Sequence, residues 1–185
     1  MTVRELKISG VFVRGFKAAA YKIGIGEKLR SQLTGDVAAM WDKPESASWH
    51  PGELFQQLTD VTKDVMTNEE MVEMNFAMAN DQFGPIVAGM VRIAVALSSP
   101  SPHTVMKNIR PMVALANRGL EIDYTVLSAN SGKLHINYPV PFPPITVYAW
   151  VGVVRFAVGL VNQIANIEKT HVSPDGFDFE LQFNW

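Results

Sequence analysis

No cysteine occurs anywhere in the 185 residues. Disulfides, thiolate zinc sites, iron–sulfur clusters and cysteine nucleophiles are therefore excluded. Charge is also sparse. Charged residues make up 18% of the chain, against the usual quarter or so. The formal net charge is −2 and no basic block is present, so the electrostatic footprint of a nucleic-acid binder is missing and nucleic acid is not an expected partner. The first ten residues, MTVRELKISG, hold no apolar core of the kind a signal peptide needs. With the lack of disulfides, this leads to the expectation of a cytoplasmic protein. No P-loop, GxSxG or HExxH pattern occurs, and Gly24-Ile25-Gly26 has no third glycine at dinucleotide-binding spacing.

A membrane-length apolar run is lacking too. The nearest approach, Ile145 to Val161, carries Arg155 near its middle, at a cost of about 2.5–3.5 kcal/mol in a bilayer. The stretch before it, Pro139-Val140-Pro141-Phe142-Pro143-Pro144, is a stiff extended connector. The helical part thus falls short of the roughly 20 residues that a span requires, and a buried core helix is expected.

What the sequence does have is apolar bulk, 48% of residues. That is enough for one well-buried core, so a single domain over residues 1–185 is expected. Glu5 to Val13 alternates loosely and reads as a short strand with a glycine irregularity. From Phe16 the text is helical, broken at Gly24 and Gly26, and Leu29 and Leu33 then share a face before Gly35. Asp42 to Trp49 reads as a loop. A helix starts at His50-Pro51-Gly52-Glu53 with Leu54, Leu58, Val61 and Val65 at helical spacing. Thr67 and Glu70 form a capping box for the next helix, which ends near Phe83-Gly84-Pro85. Ile86 to Leu97 is nearly all apolar and reads as a buried helix. Ser101 caps another with Pro102 at its first position, and Pro111 implies a kink or restart.

After Gly119 the period changes from helical to alternating. Ile122, Tyr124 and Val126, then Leu134, Ile136 and Tyr138, make a hairpin with one apolar and one wet face. A long helix, Ile145–Ala165, follows. Ile167–Val172, a Ser173–Gly176 turn, and Phe177, Phe179, Leu181 and Phe183 make a second hairpin. The expected fold is α+β: an N-terminal helical layer packed on an antiparallel sheet of two C-terminal hairpins, with the long helix between them crossing its apolar face.

Residues that could carry chemistry have ordinary structural uses as well. His50, His103, His135 and His171 share no ligand spacing, so no metal site is expected. His103, in the first turn of a helix beside Met106, is the one histidine placed like an axial haem ligand. Glu69 with Glu70 caps a helix, and Asp175 with Asp178 brackets a turn. Of the nine methionines, Met66, Met71, Met74, Met78, Met90, Met106 and Met112 lie on the central helices. Methionine suits an adaptable apolar wall and equally fills an irregular core. Ala149, Gly152 and Gly159 on the long helix permit close approach of a backbone or a flat ligand.

Three segments carry a family resemblance: Pro102 to Gly119, the Pro141–Gly152 connector, and the terminal Gly176–Trp185 strand. Together they resemble the four-vinyl-reductase-type ligand-binding domains, which share a fold superfamily with the haem-nitric-oxide-binding domains and the TRAPP vesicle-tethering subunits. Within it the chain is most similar to a domain family abundant in myxobacteria. The resemblance covers roughly the C-terminal half. It implies an apolar pocket between helices and sheet, sensing or docking rather than catalysis, and often a homodimer. The Tyr-x-Ser-x-Arg motif of the haem-binding relatives is absent, its place reading Lys133-Leu134-His135-Ile136-Asn137-Tyr138. The paired cysteines of many vinyl-reductase-type domains are absent as well. Haem and zinc are thereby disfavoured, and no cofactor is expected.

The combined expectation is a bacterial small-molecule-binding or regulatory sensor domain, not an enzyme. An apolar ligand would sit between helices and sheet with Met90, Met106, Trp150 and Phe156 on its wall. The rival expectation is a protein–protein scaffold with a filled interior that acts as a homodimer.

Overall fold

The computed structural model describes residues 4–83 and 101–185. The expected Ile86–Leu97 helix, and Met90 within it, lie outside the described residues. In chain order the helices are α1 (Gly10–Lys22), α2 (Gly26–Gln32), α3 (Gly35–Asp42), α4 (Gly52–Val65), α5 (Asn68–Met78), α6 (Pro102–Lys107), α7 (Ile109–Val113) and α8 (Thr146–Gly159). The strands are β1 (Lys7–Ser9), β2 (Trp49–Pro51), β3 (Asn117–Arg118), β4 (Glu121–Ser128), β5 (Ser131–Asn137), β6 (Asn166–Val172) and β7 (Asp178–Asn184). The two hairpins join, as expected, into one antiparallel sheet of order β4-β5-β7-β6. The α+β reading holds.

Local chemistry sets the helix ends. Thr67 accepts from the Glu70 amide while the Glu70 carboxylate takes the Thr67 amide, a complete capping box. Two orphan amides are satisfied at once, and the Glu70 carboxyl is held below its usual range by those bonds. Ser101 accepts from Thr104 N, with Pro102 opening α6. The restart implied by Pro111 falls at Asn108, between α6 and α7.

Two expected elements differ. The strand expected to run on to Val13 stops at Ser9. Ser9 caps α1 by accepting from Phe12 N, and Gly10 lies so close to the Glu45 carbonyl that a Cβ would stand 1.8 Å from its oxygen. That contact needs glycine and ends the extended stretch. The long helix stops at Gly159 rather than Ala165. Asn162 takes a left-handed conformation, φ 59°, and donates its amide to Gly159 O at 3.0 Å, closing the last turn. A second sheet, of order β2-β1-β3, was not expected. Its strands are two or three residues long and carry no alternation to read.

Packing divides the interior into two cores. The N-terminal one gathers Val13, Phe16, Leu29, Trp41, Leu58, Met71 and Met74 from α1 to α5. The C-terminal one gathers Leu134, Ile136, Phe179, Leu181 and Phe183 from the sheet with Trp150, Val154 and Val158 from α8. Each fully buried side chain of this size contributes about 1.5–3 kcal/mol of transfer free energy. The layers meet where α8 crosses α5. A Cβ on Gly152 would stand 2.4 Å from Val72 O and 2.9 Å from Phe76 N, so the two backbones touch there. Gly159, by contrast, has open space around it. Arg155, charged in the middle of the apolar run, reaches Glu69 of α5 at 2.9 Å. No described helix is long and apolar enough to cross a membrane.

Because Val72 O and Phe76 N belong to a helix backbone that cannot step aside cheaply, Gly152→Ala is expected to destabilise the fold by about 1–3 kcal/mol. Gly159→Ala is expected to be neutral or mildly stabilising. Urea unfolding of both variants checks the contrast.

Candidate functional site

Among the described residues, the seam between the two cores does not close completely. A partly enclosed cavity remains, with about 90 Å³ open to the centres of water-sized molecules. A single water needs roughly 10–15 Å³ by that measure, so the space suits a compact molecule. Phe12 and Phe16 of α1 form one side and Phe55 and Thr59 of α4 adjoin them. Met71, Asn75 and Met78 come from α5, and Ile109, Met112 and Val113 from α7. Ala149, Trp150, Val153, Phe156 and Ala157 line it from α8, and Tyr138, just after β5, lines it too.

Helical spacing explains the wall. Phe12 and Phe16, or Met71, Asn75 and Met78, stand three or four positions apart and so share a face. The aromatic rings brace each other: Phe16 meets Phe55 edge-on at 5.6 Å, and Phe12 meets Phe55 at 5.1 Å.

The polar groups of the wall are mostly committed. Asn75 Nδ2 donates to Met71 O and contacts Met71 Sδ, both at 3.0 Å. Thr59 Oγ1 donates to Phe55 O within its own helix. Trp150 Nε1 donates to the Tyr138 hydroxyl at 2.8 Å. Burial pushes the Tyr138 hydroxyl well above the usual phenol range, with the Trp150 bond opposing the shift only in part. No Asp, Glu, Lys, Arg or His is among the described residues of the wall.

Of the residues expected to hold a ligand, Trp150 and Phe156 both line the cavity from α8. Met106 is fully buried in the C-terminal core and is not among the cavity-lining residues. Met90 lies outside the described residues. Not expected from the sequence were Phe12, Phe16, Phe55, Asn75 and Tyr138. For Tyr138 a signal did exist, since it follows Leu134 and Ile136 in phase and therefore faces the same side of the strand.

His103 is tied up elsewhere. Its Nε2 donates to Ser128 O at 2.9 Å, which leaves Nδ1 to accept from the Tyr124 hydroxyl at 2.6 Å. Its ring meets Trp185 edge-on at 4.6 Å. The unit clips α6 to the far end of the sheet. His135 contacts Asp178 at 3.3 Å across the strands, and Lys133 pairs with Glu180 at 2.7 Å. Among the described residues no cluster of three metal-ligating side chains occurs.

No protein-family model matches the chain, and no curated protein matches it. Solved structures do. An H-NOX protein from S. oneidensis in its Fe(II)NO ligation state superposes with a TM-score of 0.62 at 14% identity, covering 96% of this chain and 98% of that one. The Fe(II) unliganded H-NOX protein from K. algicida gives 0.58 at 14% identity, covering 96% of each chain. A T. tengcongensis H-NOX variant gives 0.60 at 8% identity, covering 96% and 97%. The fold is H-NOX-like over nearly the whole chain.

That fold raises the question of haem, and the described residues do not fit one. The described residues of the wall offer no imidazole or thiolate to an iron, and burial favours the protonated form of its tyrosine, whereas an iron-bound tyrosine is a phenolate. Met71 Sδ already faces an amide donor. No described cation of the wall could pair with propionates. In the stretch that replaces Tyr-x-Ser-x-Arg, Lys133 and His135 are engaged with acidic partners on the sheet.

The tyrosines give a pH prediction. Burial pushes Tyr124 up to about 12 from its ordinary value of 10.0, and Tyr138 is raised by the same cause. The folded state then keeps protons that the unfolded chain has released, so the unfolded state binds fewer and stability falls as pH rises. Their contribution is whole below about pH 10 and is lost toward pH 12 and beyond. Urea midpoints measured across that window are expected to decline, and less steeply in Tyr124→Phe.

Proposed function

We propose that the chain is a single non-catalytic, cytoplasmic sensor domain over residues 1–185. It holds a compact apolar molecule, without haem, in the cavity between its helical layer and its sheet. The observation that carries this reading is the cavity itself. It lies at the seam of two otherwise tightly packed cores and is walled by phenyl, indole and thioether groups. A filled interior would have favoured a scaffold. Apolar, pre-formed concavities with a few placed polar groups are the usual form of small-molecule sites. The names of the similar folds add support: one is in its Fe(II)NO state and another is an oxygen-binding H-NOX domain in its oxygen complex. For this chain the sensing reading carries over, and the metal chemistry does not. Trp150 and Phe156 are the proposed ligand contacts on α8. A ligand wedged between α5 and α8 bears on the junction of the two layers, so occupancy would be felt by both.

Native mass spectrometry of the purified protein tests the reading, with an absorbance scan of the same sample. The expected result is a small organic adduct above 20.5 kDa per chain, lost on denaturation, with no Soret band. Phe156→Asp places a charge in the wall and is expected to abolish the adduct. A folded Phe156→Asp protein that retains it would remove the ligand from this cavity. A bare-mass dimer that takes up no apolar additive such as toluene would favour the interaction scaffold.

A further inference from the structure

One polar group on the cavity wall is oriented by a partner and still not fully spent. The Tyr138 hydroxyl accepts from Trp150 Nε1 at 2.8 Å. A phenol that accepts one bond still has its own proton to donate. No acceptor for that proton lies among the described residues. Thr59 and Asn75, the polar side chains on the α4 and α5 walls, donate to backbone carbonyls of their own helices. Thr146 and Asn117 reach the wall without an orienting side-chain partner among the described residues.

Two rings pack on Tyr138, and a backbone bond holds its main chain. Phe142 packs on it with ring centroids 5.1 Å apart and Phe179 with centroids 6.4 Å apart. The Tyr138 amide donates to Phe177 O at 2.8 Å. The hydroxyl is thus a neutral donor on the wall of an apolar cavity, carried by a half-buried side chain. A donor with no protein acceptor can gain a bond from a ligand oxygen. The described wall has no charged side chain, so a carboxylate or an ammonium would be buried there without a counter-charge.

Resting on the sensor reading above, we infer that the cavity selects a neutral, compact apolar molecule bearing one hydrogen-bond acceptor, a ketone or ether oxygen, which takes its hydrogen bond from Tyr138. Trp150 is the positioning residue, since its indole N–H occupies one side of the phenol oxygen and turns the phenol proton away from itself. The hydrocarbon wall supplies the binding, and the tyrosine supplies the discrimination.

The test uses two probes of nearly equal shape, cyclohexanone and methylenecyclohexane, titrated into the full chain and followed by amide chemical shifts. The wild type is expected to prefer the ketone by about two- to tenfold, as one net hydrogen bond allows. Tyr138→Phe is expected to bring the two probes to near parity while still binding methylenecyclohexane, and Thr146→Val is expected to keep the preference. Equal affinities in the wild type, or a preference that survives Tyr138→Phe, would overturn the inference and leave the apolar cavity standing. If neither probe binds the wild type, the sensor reading falls and this inference with it. Where Tyr138→Phe does not fold, the infrared carbonyl band of cyclohexanone bound to the wild type decides. A band below its position in hydrocarbon solvent supports the Tyr138 bond, and an unshifted band refutes it.

Discussion

The two layers of this protein depend on one backbone contact. Where α8 crosses α5, Gly152 removes the Cβ that would otherwise collide with Val72 O and Phe76 N. A helix laid that closely on another is fixed in position and rotation, because packed interfaces tolerate little sliding. Everything downstream follows from that rotation. Trp150 and Phe156 face the seam, and Val154 and Val158 face the sheet. Arg155 is left at the edge to meet Glu69. A larger residue at 152 would lift α8 away from the helical layer and alter the cavity before it altered either core.

The cavity lies where the two packed cores meet. The N-terminal core is closed by its aromatic braces, Phe12, Phe16 and Phe55, and the C-terminal core by the inward row Phe179, Leu181 and Phe183. Among the described residues, the side chains of the two cores pack within each core and leave the seam cavity between them. An empty apolar void costs dispersion contacts on every wall atom. A molecule that restores those contacts stabilises the folded state in proportion to its concentration and affinity.

Strongly patterned elements were legible in the sequence. The alternation of Leu134, Ile136 and Tyr138 and of Phe179, Leu181 and Phe183 gave both hairpins, and Thr67 with Glu70 placed a helix start. The β2-β1-β3 sheet was not legible, because its pairing joins residues such as Ile8, His50 and Asn117 that are far apart and carry no period. The end of α8 was missed because Leu160 and Val161 continue the apolar text past a turn made by Asn162. The site was legible only where a residue type hinted at a wall. Trp150 and Phe156 stood out on an apolar helix. Phe12, Phe55 and Asn75 read as plain core or surface, since which helical faces oppose each other across a seam is decided by tertiary packing. Met106 and Met112 look alike in sequence, yet only Met112 lines the cavity.

The proposed sensing needs a site that a ligand can enter and that both layers feel. An apolar molecule is expected to reach the seam cavity between α1, α5 and α8. A crystal structure under xenon pressure tests it most directly, because xenon enters dry apolar cavities without needing a hydrogen bond. Xenon density is expected beside Val153 and Phe156, with the α5–α8 crossing at Gly152 unchanged. Xenon absent from the seam, with Phe12 and Met112 folded in to fill it, would contradict the account.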